Sequence, residues 1–283
     1  MNQNNLDYLK NQTKFMGFGE ALETQLKEKV NDLKPEFDLQ HQIKFGKDDV
    51  SSTLHFTKSK ESDMYFFNSY DVAVQQPGKE LIKQTYPVRQ ENNLTLKEHY
   101  NMLDGRSVLK TFKKLENTEP EGEKPKYKAT DETYQAWSDL NFKETDKQGN
   151  FLARKMFGLD LERELKNYPI KDLEDSYNRN RLIASLEKGN LQSATVTVDG
   201  KDQKVSIAAN PKENSVLMYD SNMQRMDLSQ IKVQKQEKNE GLAQGKDSTV
   251  QQEDQKKAEK QGISGEEKSQ KNSQRKKQGM KVS

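Results

Sequence analysis

The chain has 283 residues, 33% of them charged and 31% hydrophobic, and its 47 basic and 45 acidic side chains nearly cancel. That composition leaves no run of about twenty apolar residues for a membrane-spanning helix, and less apolar surface than an average globular protein carries. The absence of cysteine excludes disulfides, thiolate metal sites and cysteine nucleophiles.

The apolar deficit is uneven. Residues 234–283 hold seven hydrophobic residues and no aromatic, so a core has to come from the residues before them. The first ten residues are Asn-rich and offer no apolar run for a signal peptide or anchor, which gives a soluble, cytoplasmic protein as the expectation.

In chain order, Leu22, Leu26, Val30 and Leu33 predict an amphipathic helix over 19–33, stopped by Pro35. Gly17 and Gly19 break the chain ahead of it; a dinucleotide loop would need a preceding strand and a third glycine. The period then becomes two. Phe37, Leu39, His41, Ile43 and Phe45 share one strand face, and Leu54 and Phe56 one face of the next, with a turn over Gly46-Lys47-Asp48-Asp49. Runs over 63–74 and 81–88, separated by Gln76-Pro77-Gly78, complete a four-stranded antiparallel meander. The aromatic run Met64-Tyr65-Phe66-Phe67 with Tyr70 offers faces on which single-stranded bases could stack, but no basic residues are interleaved with it, and a strand covered on both faces is the expectation.

Thr95-Leu96-Lys97-Glu98 is a capping box and starts a short helix that ends at Asp104-Gly105. A strand over 107–115 leads into 116–130, read as a long exposed loop because Glu, Lys, Pro and Gly surround one aromatic. Residues 134–143 and 151–157 form a hairpin, with Trp137 packed against a helix. Helices around 160–168 and 178–188 follow, then strands over 191–198 and 204–209 about the Asp199-Gly200 hairpin turn, and a third strand over 215–219. The fold class is α+β: antiparallel sheets with a few short packed helices. Two modules are expected, 15–115 and 131–230, with the loop 116–130 between them and a disordered basic tail from 231 to 283.

Candidates for chemistry are few. His41 continues an apolar strand face, His55 lies opposite Leu54 and Phe56, and His99 borders a helical stripe, so all three read as structural. The pair Asp48-Asp49 reads as turn chemistry, and no metal-ligand spacing, Walker sequence or nucleophile elbow is present. Neither a catalytic residue nor a cofactor is therefore expected. The tail differs: Lys268, Lys271, Arg275, Lys276, Lys277 and Lys281 face no acidic residue between 268 and 283. Such a cluster attracts phosphate by releasing counterions and is the expected nucleic-acid-binding element, for DNA or RNA.

The stretches Phe15-Met16-Gly17-Phe18-Gly19-Glu20, Ser62-Asp63-Met64-Tyr65-Phe66-Phe67-Asn68, Leu103-Asp104-Gly105-Arg106, Leu140-Asn141-Phe142-Lys143-Glu144-Thr145-Asp146 and Pro169-Ile170-Lys171-Asp172-Leu173 carry a resemblance. They continue through Leu186-Glu187-Lys188-Gly189-Asn190, Ala209-Asn210-Pro211 and Tyr219-Asp220-Ser221-Asn222-Met223. The chain resembles an uncharacterised family carried on conjugative transposons and related mobile elements of Bacteroides-type bacteria. The resemblance implies a cytoplasmic accessory protein with DNA processing or transfer as neighbouring activities, and similar modules look to occur beside topoisomerase domains. It supplies no functional residues. Arg106 is a candidate phosphate contact, or part of a helix-ending turn. The expected function is a non-enzymatic accessory protein of a mobile element, with protein contacts through the body and transient, sequence-independent nucleic-acid contact through the tail. The alternative is a pure protein-interaction or regulatory module.

Overall fold

The chain opens with a helix that its Asn-rich composition does not announce. A computed structural model describes residues 2–120 and 125–231, and in it α1 spans Gln3–Thr13. Asn2 caps it by accepting the Asn5 amide at 3.1 Å. Only Leu6 and Leu9 bury apolar side chains from this helix. The third anchor is polar. Buried Asn5 accepts the Tyr65 backbone amide at 2.8 Å and donates to the Tyr65 carbonyl at 3.0 Å, so its side chain takes the place of a neighbouring strand. A π-helical turn over Lys14–Phe18 and two glycines at positive φ, Gly17 and Gly19, reverse the chain into α2, Glu23–Asn31. Leu33 leaves the expected buried stripe: it lies beyond the helix end at φ +56° and is exposed.

Four antiparallel strands follow in the order β1-β2-β3-β4: Glu36–Phe45, Asp48–Lys58, Tyr65–Gln75 and Ile82–Pro87. Phe45 pairs with Asp48, so the first hairpin loop is only Gly46-Lys47, with Gly46 at φ +64°. Asp48 and Asp49 belong to β2 and not, as expected, to the turn. The inner face stacks Phe56 between Phe37 and Phe67, each centroid pair 4.9 Å apart, and Phe18 meets Tyr70 edge-on at 5.2 Å.

Helix α3, Leu96–Leu103, carries the expected capping box: the Glu98 carboxylate accepts the Thr95 amide at 2.7 Å. A second sheet, β5-β6-β7, is built from Val108–Asn117, Tyr127–Thr145 and Phe151–Met156. Its first hairpin corrects the reading of 116–130 as a loop. Leu115 pairs with Ala129, Glu116 with Lys128 and Asn117 with Tyr127, so the ladder runs well into that segment. Charged residues on both strands, such as Lys114, which pairs with Glu132 at 3.0 Å, conceal period two from a hydrophobicity pattern. Helices α4, Leu161–Leu165, and α5, Ser176–Glu187, precede a third sheet of order β10-β9-β8, made of Gln192–Val198 (β8), Lys201–Asn210 (β9) and Ser215–Tyr219 (β10). Asp199 and Gly200 both have positive φ, as a type I′ turn requires. The architecture is thus α+β with antiparallel sheets. No helix among the described residues is long and apolar enough to cross a membrane.

Apolar residues gather in two clusters. One lies under the first sheet and α1 to α3; the other joins Leu161 and Leu165 of α4 to Leu186 of α5 and the third sheet. Strand β6 serves both: Leu140 enters the first, and Trp137, whose indole N–H reaches the Leu159 carbonyl, enters the second. Beside this strand, buried Asn101 of α3 donates to the Lys188 carbonyl at 2.7 Å and to Asn190 Oδ1 at 3.0 Å. Gly189 sits between them at φ +75°, where a Cβ would lie 2.8 Å from the Ser107 carbonyl oxygen and 2.9 Å from Val108.

The three histidines occupy different environments. His99 is buried, stacked on Tyr86 at 3.5 Å, and accepts the Tyr70 hydroxyl through Nδ1. Burial, aided by the Lys110 charge, drives its pKa down to about 3, so it stays neutral. His41 is half-buried against Phe18, and burial lowers its pKa as well. His55, on the outer face, bonds Asp38 through Nδ1 at 2.8 Å and Asp71 through Nε2 at 3.2 Å. Burial opposes its charged form, but the two carboxylates outweigh burial and hold its pKa above 6.5.

Two tests follow from these contacts. Gly189→Ala should destabilise the protein by at least about 2 kcal/mol in urea unfolding, through left-handed strain plus overlap with backbone. Gly149→Ala, at φ +86° with no atom within 4 Å of the added Cβ, should cost only the strain, about 1 kcal/mol. The His99 imidazole takes up a proton below pH 6.5 only when the chain unfolds. Its folded pKa is depressed, so stability is full above about pH 7 and falls toward pH 3, at up to about 1.4 kcal/mol per pH unit. His55 contributes with the opposite sign, favouring the fold below pH 6.5 and losing that contribution as pH rises through its raised value. On going from about pH 7.5 to about pH 5, His99→Gln should lose less stability than the parent chain, or gain some, in urea unfolding.

Candidate nucleic-acid interface

The six basic residues singled out in the sequence, Lys268, Lys271, Arg275, Lys276, Lys277 and Lys281, lie outside the described residues, as does the rest of the expected tail beyond Ile231, which is itself buried in the second apolar cluster. The aromatic run lies within them and divides by face. Tyr65, Phe67 and Tyr70 enter the core, whereas Met64 and Phe66 face solvent. The expected strand covered on both sides is therefore corrected: burial alternates along β3, and one face is bare.

Phe66 borders a concavity of about 610 Å³ bounded by α1, β3 and the segment after β4, with Tyr8, Asn4, Asn68 and Arg89 on its walls. A second, of about 380 Å³, shares Tyr8, Gln12, Arg89 and Gln90 and reaches Phe15 and Lys110. A third, of about 680 Å³, shares Arg89 and Gln90 and runs along the β5-β6 hairpin to Lys126, Tyr127 and Lys128. The three meet at Arg89 and Gln90. Four aromatic rings line this track at exposures that are unusual for such residues: Phe15 75%, Tyr127 63%, Tyr8 56% and Phe66 46%.

The junction is held by side-chain amides. Asn93 accepts the Arg89 amide at 2.9 Å and donates to the Arg89 carbonyl at 2.5 Å. Asn92, at φ +65°, accepts the Lys113 amide at 2.7 Å and donates to its carbonyl at 2.9 Å. These bonds fix the segment that presents Arg89 against the edge of β5. The charge is positive along the track. Glu91 is taken up by Lys113 at 2.7 Å and Glu98 by Lys110 at 3.0 Å. Among the described residues, no ion pair engages Arg89, Lys126 or Lys128. Exposed aromatic faces beside these cations, with the amides of Asn4, Gln12, Asn68 and Gln90 between them, can stack bases and hold a phosphate backbone.

The other candidates are committed elsewhere. Arg106 follows Gly105, at φ +80°, in the turn that ends α3, pairs with Asp104 at 2.8 Å and lies 5.6 Å from the Tyr100 ring. The segment is the helix-ending turn, and Asp104 engages the Arg106 guanidinium within it. Asp48 accepts Tyr100 Oη at 2.8 Å and Gln76 Nε2 at 2.9 Å, and the same Gln76 nitrogen reaches Asp104 at 2.7 Å. Lys97 lies 4.1 Å from the Phe45 ring and 4.2 Å from the Tyr100 ring; burial and the Arg106 charge bring its pKa down to about 8. Among the described residues no group of three or more His, Asp or Glu side chains is placed to hold a metal ion.

Sequence patterns flagged only the Phe66 run of this track. Tyr8 and Phe15 stand seven residues apart on contiguous helical turns, but Arg89 and Tyr127 come from distant segments, and no spacing in the chain links them to that pair. Comparisons with protein-family models, with curated proteins and with solved structures found no match.

Proposed function

We propose that the chain is a non-enzymatic accessory protein that binds single-stranded nucleic acid along the track through Arg89, with the basic tail adding sequence-independent phosphate contacts. The observation that carries this reading is the juxtaposition of four exposed aromatic rings with Arg89, Lys126 and Lys128. Stacking on aromatic faces tolerates any base, and the cations follow the backbone. The histidines support binding over catalysis. His99 is buried and neutral, and both ring nitrogens of His55 are engaged. This reading moves the body from the protein contacts expected of it to nucleic-acid contacts, and it is in keeping with the mobile-element resemblance, where DNA processing is a neighbouring activity.

Fluorescence anisotropy with a labelled oligothymidine strand, read across salt concentration, tests both parts. Phe66→Ala should weaken binding about tenfold or more, the loss of one stacked base, with the salt slope unchanged. Arg89→Gln should weaken binding and reduce the log-log salt slope by about 0.7, one single-strand phosphate contact. Replacing the six tail cations by Gln in the full chain should reduce the slope by up to about 4 and leave the Phe66 effect in place. Binding unaffected by Phe66→Ala and Arg89→Gln would return the body to the protein-contact role. No binding at low salt by any form would favour the pure protein-interaction module.

A further inference from the structure

The edges of the three sheets are treated unequally. On β5, Asn92 occupies the Lys113 backbone. On β4, Asn150 accepts the Thr85 amide at 2.8 Å, while Gln84 holds both backbone groups of Phe151 on β7 at 2.8 and 3.1 Å. On β8, Asp172 accepts the Thr195 amide at 2.8 Å and the Pro169 carbonyl accepts Thr197 at 3.1 Å; on β10, the Met218 carbonyl accepts Met226 at 2.9 Å. Side chains or loop backbone thus occupy five of the six edge strands.

The sixth is β1. The Lys58 amide bonds the Pro35 carbonyl at 2.7 Å, and the β1-β2 register continues without a bulge, so odd-numbered residues of β1 bond β2 and even-numbered ones point away. Among the described residues no hydrogen bond reaches the backbone of Glu36, Asp38, Gln40, Gln42 or Lys44. The strand is ten residues long, contains no proline or bulge, and turns no charge inward, so the charges of Glu36, Asp38 and Lys44 are its one protection against pairing.

We propose that this edge is a homodimer interface, in which β1 pairs antiparallel with β1 of a second copy about a two-fold axis at Gln40. The charge pattern selects this occupant because it is complementary to itself. Antiparallel pairing about Gln40 sets Glu36 opposite Lys44 of the second copy, and Lys44 opposite its Glu36, with Asp38 opposite Gln42. On the inner face, Phe37 meets Ile43 and Leu39 meets His41. All five outward residues find a partner, and the two four-stranded sheets merge into one. Moving the axis to His41 would exchange the Glu36–Lys44 pairs for Asp38–Lys44 pairs, but it would leave Glu36 opposite Gly46 beyond the strand end and set His41 against itself, so Glu36→Lys separates the two registers.

Analytical ultracentrifugation of the full chain over a concentration series tests the proposal, with circular dichroism to verify that each variant is folded. The parent chain should dimerise. Glu36→Lys and Lys44→Glu each place like charges opposite one another twice, and each should raise Kd about tenfold or more. The double variant Glu36→Lys with Lys44→Glu restores opposite charges and should return Kd to near the parent value. Gln40→Pro, which removes an amide pointing away from β2, should abolish the dimer. A parent chain that stays monomeric, a dimer indifferent to both single reversals, or a double variant weaker than either single would each overturn the proposal.

Discussion

The contact between Gly189 and the start of β5 is the constraint on which the arrangement of the body rests. The backbone approaches too closely there for any side chain, and the conformation is left-handed, so two independent requirements fall on one residue. Asn101 makes the approach specific by donating to the Lys188 carbonyl and to Asn190 Oδ1 at the end of α5. Strand β6 passes alongside and gives Leu140 to one apolar cluster and Trp137 to the other.

A second theme is the use of amide side chains as backbone mimics. Asn5 on Tyr65, Asn92 on Lys113 and Gln84 on Phe151 each present a donor and an acceptor to one residue's N–H and C=O. A chain poor in apolar residues can dock helices and loops in this way, because a paired amide loses little on burial, whereas an unpaired one is costly. The same device builds the track through Arg89. The amides that hold the segment after β4 also fix where its cation stands relative to the aromatic rings.

The meander, the capping box at Thr95 and the hairpin at Asp199-Gly200 were legible because each depends on residues close in sequence: alternation, a three-residue spacing, a positive-φ pair. Helix α1 was not. Its anchoring residue, Asn5, bonds a strand sixty positions away, and its apolar content of Leu6 and Leu9 is too small to form a stripe. The segment 116–130 was misread for a related reason. Cross-strand pairs such as Glu116 with Lys128 contribute to a ladder without any apolar period. Of the track, only Phe66 announced itself, since Arg89, Tyr8 and Tyr127 converge through folding alone.

The plugged edges carry a further consequence. Among the plugs, Asn92 stands at positive φ in the short connection between β4 and α3. When that connection opens, the Lys113 backbone on β5 is released at the same moment, because one side chain closes both. Local opening and creation of a sticky strand edge are then a single event. Proteolytic nicking or heating that loosens residues 89–93 would lead toward aggregation before the two apolar clusters come apart.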